Sequence, residues 1–308
     1  MGAAGEKDVA LILAAANPID HVVDYQGLPG FLSMHIVQMF AVAVLLIVTM
    51  MAAARAIETG PESEGNDRYL TRGRFSQVIE FMVLALRDAV IKPQLGSDTN
   101  KFLPYLLTLF FFILYINVIG LVPLLDLQHL FGLKSTWLGG TPTGNIGVTA
   151  GLATIAFFVI HIAALRKIGF GEWCKHFTGG APWYIWPIMI PVEILGMFIK
   201  PGALAIRLFA NMTAGHTLLA TILMFTGLGL TGLGLAGGLP VTIVSILAAV
   251  PLMFLELFVA FLQAFIFMFL TVVFLAQFLH HEHDDHAMAE AYHDGYSAET
   301  DPAAPVTA

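Results

Sequence analysis

From Phe31 to Ala54 the chain runs without one Asp, Glu, Lys or Arg. A bilayer core about 30 Å thick needs about 20 apolar helical residues. This run therefore reads as a membrane-spanning helix. Phe102 to Leu125, with LTLFFFILYI at its centre, is a second. Ile146 to Leu165 is a third, opening after the turn signals of GGTPTGN. Two further apolar segments are far longer: Trp183 to Phe225, about 43 residues, and Leu239 to Leu279, about 41. As single helices they would each measure about 60 Å, twice the bilayer core. Each is therefore either two short spans or one long, tilted helix. Pro187, Pro191, Pro201 and Pro251 offer sites for kinks.

Composition agrees. Of 308 residues, 57% are hydrophobic and only 12% charged, about half the usual charged share of a soluble domain. The fold class expected is all-α and polytopic, with about five crossings. FSQVIEFMVLALRDAVI (Phe75 to Ile91) mixes apolar and charged residues, and reads as one amphipathic helix at the interface. The domain division is 1–30, an extracytoplasmic N-terminal segment; 31–279, one transmembrane domain; and 280–308, a tail. The tail is polar, acidic and Pro/Ala-ended, and reads as disordered beyond its first turn. Its five histidines lack a fixed ligand spacing, so no metal site is assigned there.

Charge distribution sets an expected topology. With the N-terminus outside and each long segment crossing once, Arg55, Arg68, Arg72, Arg74, Arg87, Lys92 and Lys101 fall inside. So do Arg166, Lys167 and Lys175, leaving only Lys7 and Lys134 outside. This is the positive-inside bias, and it places the C-terminus inside. VALILAAAN near the start is signal-like, but Lys7 lies between Glu6 and Asp8, and that poor basic region argues against cleavage. The net charge of −8 argues against a nucleic-acid partner. One cysteine, Cys174, excludes an intrachain disulfide. There is no nucleotide-binding P-loop, so ATP chemistry would belong to other chains, and no cofactor is expected.

Four charges stand inside the long segments: Glu193, Lys200, Arg207 and Glu256. Each costs at least about 2.5–3.5 kcal/mol near the bilayer centre. Glu193, Lys200 and Arg207 are seven apart each time, which returns them to nearly one helix face, and Asn211 extends the stripe by a turn. Glu256 and Gln263 repeat the spacing in the last segment. Arg does not release its proton, so Arg207 is a poor relay and a good electrostatic gate. Glu193, Glu256 and His216 exchange protons, the imidazole near neutral pH. A unit charge about 4 Å from a carboxylate is worth about 4 kcal/mol at an effective dielectric constant of 20, about three pH units of acidity. Arg207 would thus force a passing carboxylic acid to give up its proton. His216 lies about 180° around the helix from Arg207, and is expected to face the other long helix near Glu256. Gly196, Gly202, Ala203, Ala205, Ala210, Ala214 and Gly215 make the Arg207 region smooth enough for close helix approach.

KPGALAIRLFANMTAGH (Lys200 to His216) resembles the signature of the a subunit of F-type ATP synthases. ELFVAFLQAFIFMFLTVVFLA (Glu256 to Ala276) resembles the last helix of that family, and NPIDHVVD and INVIGLVPLL fit its pattern. The resemblance implies a non-catalytic membrane stator beside a rotating ring of c subunits, held by b-type peripheral stalk subunits in a bacterial plasma membrane. It implies two half-channels for protons, with the family's invariant arginine at Arg207. The family's other polar positions fall on Glu193, Asn211, His216, Glu256 and Gln263; Lys200 reads equally as electrostatic support or as a structural charge reaching the interface. It also implies that both long segments are single tilted helices. Many bacterial members carry an acid at the place of His216 and a histidine at that of Glu256. Here the pair is exchanged, as in mitochondrial relatives. Two rival readings are an ion-coupled transporter, which predicts symmetry between halves, and a structural anchor with internal ion pairs.

Overall fold

In the computed structural model, residues 33–59, 69–71, 73–122, 142–178 and 182–299 are described. The N-terminal segment 1–30 and the signal-like stretch lie outside them. Helix α1 (Met34–Arg55) opens on Ser33, whose hydroxyl accepts from the Ile36 amide at 3.3 Å. This satisfies one of the amides that a helix start leaves unpaired. Arg55 closes the helix, where a cation complements the helix dipole. A short antiparallel ribbon follows, β1 (Ile57–Thr59) against β2 (Tyr69–Thr71), with Ile57 opposite Thr71.

The amphipathic stretch forms α2 (Arg74–Leu86), which passes through a π-turn (Arg87–Ile91) into α3 (Lys92–Leu95). It buries Ile79 and Leu86 and leaves Phe75, Val78 and Phe81 exposed. Gly96, at φ +51°, breaks the helix before α4 (Thr99–Gly120). That conformation suits a residue without a Cβ. Helix α4 ends at Gly120 rather than Leu125; residues 123–141 lie outside the described chain.

Helix α5 (Ile146–His176) runs eleven residues beyond Leu165, with a kink at Gly169 (φ 76°). Lys167 Nζ, just before the kink, lies 2.5 Å from Asp98 Oδ2 and ties α5 to the start of α4. The long segments are single helices, α6 (Trp186–Gly232) and α7 (Gly234–Glu299), joined at Leu233 and Gly234 (φ 68°). Helix α6 is about 70 Å long at 1.5 Å per residue. Helix therefore occupies the glycine-rich run between Phe225 and Leu239. It also continues to Glu299, past residue 280, where the composition reads as disorder. Ala, Glu and Met, which dominate AMAEA, are strong helix formers.

Five helices or helical runs are long and apolar enough to cross a membrane, matching the expected count. Helix α4 stands at the centre, with Leu106, Phe110, Ile113 and Ile116 fully buried. Phe267, Met268, Val272 and Leu275 of α7 pack into the same core, joined by Leu208 of α6 and Ala156 of α5. The ring of Phe110 meets that of Phe261 edge-on at 5.7 Å. By contrast, Leu247, Phe254 and Phe258 of α7 and Ile188, Val192 and Phe198 of α6 are exposed. Their apolar face suits lipid or a partner helix rather than water.

Candidate functional site

Helices α6 and α7 pack against each other along their length, and their polar residues gather at two places. At the first, Glu193 and Lys200 line a cavity of about 40 Å³ with His161 of α5 and Phe274 and Gln277 of α7. The Lys200 ammonium lies 5.1 Å from the centre of the Phe274 ring. Its charge is thus set against the electron-rich face of an aromatic ring.

At the second, Asn211, Gly215 and Glu256 line a cavity of about 210 Å³. His216 Nε2 stands 3.9 Å from Glu256 Oε1. The helix angle that separates His216 from Arg207 thus turns it toward α7. Glu256 is buried, and Gly215 makes room for it. One turn-pair further along α7, Gln263 is buried with its Nε2 making no hydrogen bond among the described residues. Asn117 of α4 donates to the Ala260 carbonyl at 3.4 Å, bringing a third helix to this region.

Arg207 lines neither cavity. Pro201 is the last α6 residue at the first and Asn211 the first at the second. About 15 Å of helix separates them, and Arg207 is in it. The seven-residue stripe drifts about 20° with each repeat. Glu193 and Lys200 face α5 and α7 and are half-buried, whereas Arg207, on nearly the same face of α6, is exposed. There it is flanked on its own face by Ala203, Ala210 and Ala214, all exposed. Arg207 forms no ion pair among the described residues.

The sequence profile described as ATP synthase A chain matches residues 35–276. The chain belongs to the ATP synthase subunit a family. It is 40% identical to an ATP synthase subunit a of Myxococcus xanthus, over 82% of this chain and 75% of the relative. It is 37% identical to ATP synthase subunit a 2 of Chlorobaculum tepidum, over 86% and 69%. A subunit a of Chlorobium phaeobacteroides is 38% identical over 84% and 68%. A member of the subunit a family with five such apolar runs is a multi-pass membrane protein of the ATP synthase complex, in its proton-conducting membrane sector.

Sequence reasoning passed over two residues at these sites. His161 is the one ionisable side chain in the apolar run from Ile146 to Leu165, and that isolation was its signal. Asn117 sits in an apolar helix 143 residues from its partner carbonyl, a separation that no local pattern reveals.

Proposed function

We propose that this chain is the proton-conducting stator of an F-type ATP synthase, with two offset half-channels separated by Arg207. The observation that carries the reading is the placement of Arg207. It is exposed, lies between the two cavities that Glu193 and Glu256 line, and is flanked by small residues on a surface that no helix covers among the described residues. In an apolar environment such a cation needs an anionic partner. A helix bearing a buried carboxylate, as in a ring of c subunits, supplies one, and Ala203, Ala210 and Ala214 let it come close.

The chemistry follows from the side chains. A proton from outside reaches the Glu256 cavity, where His216 and Glu256 hold and pass it, and Asn211 and Gln263 offer hydrogen bonds along the way. It joins a ring carboxylate and travels with the ring. When that carboxylate comes round to Arg207, the guanidinium stabilises its ionised form, and the proton leaves through the Glu193 cavity to the inside. Arg207 cannot itself carry the proton across, so the two paths do not short-circuit. The N-terminus lies outside, the C-terminus inside, and b-type subunits hold the stator in a bacterial inner membrane. The chain carries no ATP chemistry itself.

The test is ATP synthesis by the purified complex in liposomes under an imposed proton gradient. Wild type makes ATP, and complexes with Arg207→Gln assemble but make none. Synthesis at the wild-type rate by the Arg207→Gln complex overturns the reading.

A further inference from the structure

His161 is the ionisable group of the Glu193 cavity that this path leaves unused. Its ring is held firmly. Nδ1–H donates to the Phe157 carbonyl at 2.7 Å. The Phe157 ring lies 4.2 Å away, that of Phe278 5.6 Å and that of Trp173 6.2 Å, centre to centre. The hydrogen bond settles the neutral tautomer: the proton is on Nδ1 and the lone pair on Nε2. Nε2 is buried and makes no hydrogen bond among the described residues. A buried acceptor without a donor is costly to keep, and such a group is commonly there for use.

The other groups around the cavity narrow that use. Helix α6 presents Glu193 and Lys200, and α7 presents Phe274, Gln277 and Phe278, none of them ionisable. We infer that His161 is a proton-exchange residue of the Glu193 cavity, receiving a proton on Nε2 from internal water and exchanging it with the Glu193 carboxylate. The inference rests on the stator reading above. In the pumping direction hydronium gives its proton to Nε2, so an N–H bond forms and water remains. That N–H bond then breaks through intervening water, an O–H bond forms on Glu193, and His161 returns to neutral. Lys200 is an unfavourable neighbour for the imidazolium, so the proton does not rest there. Synthesis runs the same steps backwards. No electron transfer is involved.

A structural role for His161 makes a different prediction. Trp173 Nε1 is also buried without a hydrogen bond among the described residues. A modest rotation would let the indole N–H donate to Nε2 and make the pair a packing element.

The experiment is ATP-driven proton pumping by the assembled complex in inverted vesicles. The bath then reports the internal face, and the lumen is buffered at fixed pH. His161→Asn keeps a donor for the Phe157 carbonyl and removes the basic nitrogen, while Trp173→Phe removes the indole donor. The expected wild-type rate shows one step with bath pH, which belongs to the imidazole. His161→Asn loses that step and slows pumping by about tenfold, less than an obligate relay because Glu193 remains. Trp173→Phe keeps the step. The inference is overturned if His161→Asn retains the wild-type rate and profile, or if Trp173→Phe abolishes the step as fully as His161→Asn. Should His161→Asn not assemble, Lys200→Gln gives the answer. Removing the neighbouring ammonium moves the step to higher pH if His161 is the titrating group, and an unmoved step overturns the inference. An Arg207→Ala control separates the two levels. Normal pumping there sinks the stator reading itself, whereas lost pumping there with a wild-type profile in His161→Asn sinks only this inference.

Discussion

Gly215 and Glu256 are in such close register that a Cβ at position 215 would stand 2.5 Å from Glu256 Oε1. The carboxylate of α7 is thus seated against the backbone of α6, next to His216. The clash is with the end of a flexible side chain, so a methyl group there displaces the carboxylate rather than the helices. Gly215→Ala is expected to leave the complex assembled while slowing proton uptake. Immunoblotting of assembled complex, followed by pumping rates in the same vesicles, checks both halves. Unchanged pumping would mean that the seat of Glu256 does not matter.

Gly238 gives the opposite outcome. A Cβ there would lie 2.7 Å from the Leu230 Cα and 2.8 Å from the Gly229 carbonyl oxygen. Backbone cannot step aside as a side chain does. Gly238→Ala is expected to force α6 and α7 apart where they join, at a cost of about 1–3 kcal/mol. The readout is thermal stability of the purified complex, which falls for Gly238→Ala and holds for Gly215→Ala.

These two glycines also show what could be read from the sequence. The five apolar runs and the four costly charges were legible, because a bilayer core demands about 20 apolar residues and penalises each charge. The ends of the helices were not. Glycine weakens a helix in water, so the run between Phe225 and Leu239 looks like a loop. In an apolar setting backbone amides and carbonyls must still be paired, and helix pairs them within the segment. Helices α6 and α7 accordingly run on to Gly232 and start again at Gly234. At the site, helix angles alone turned His216 toward α7. They did not reveal that Arg207 is exposed while Glu193 and Lys200 line a cavity. The Asn117 contact and the His161 tautomer depend on neighbours distant in the chain, or on one specific hydrogen bond.

The His216–Glu256 pair leads to a third prediction. His216→Ala and Glu256→Ala are each expected to slow proton uptake. Exchanging the two, His216→Glu with Glu256→His, keeps one acid and one imidazole face to face across the 3.9 Å contact. The double exchange is expected to pump faster than either single Ala variant. Initial pumping rates at matched complex levels decide it, and a double exchange as slow as the worse single variant contradicts the pairing.

Lys167 and Asp98 form an ion pair at 2.5 Å in which both side chains are only about one-fifth exposed. It ties the start of α4 to α5 just before the Gly169 kink. A double-mutant cycle with Lys167→Ala and Asp98→Ala is expected to return a coupling of about 1 kcal/mol. That coupling should weaken as salt is raised from 0.1 to 1 M, over which the screening length falls from about 10 Å to 3 Å. A cycle that closes at zero shows the pair to be incidental.

The central claim is that Arg207 is a gate and not a structural charge. The most direct measurement is ATP-driven proton pumping in inverted vesicles carrying Arg207→Ala, after assembly of the complex has been confirmed. The account predicts an assembled complex that does not pump. Pumping at the wild-type rate would contradict it and leave Arg207 a structural charge.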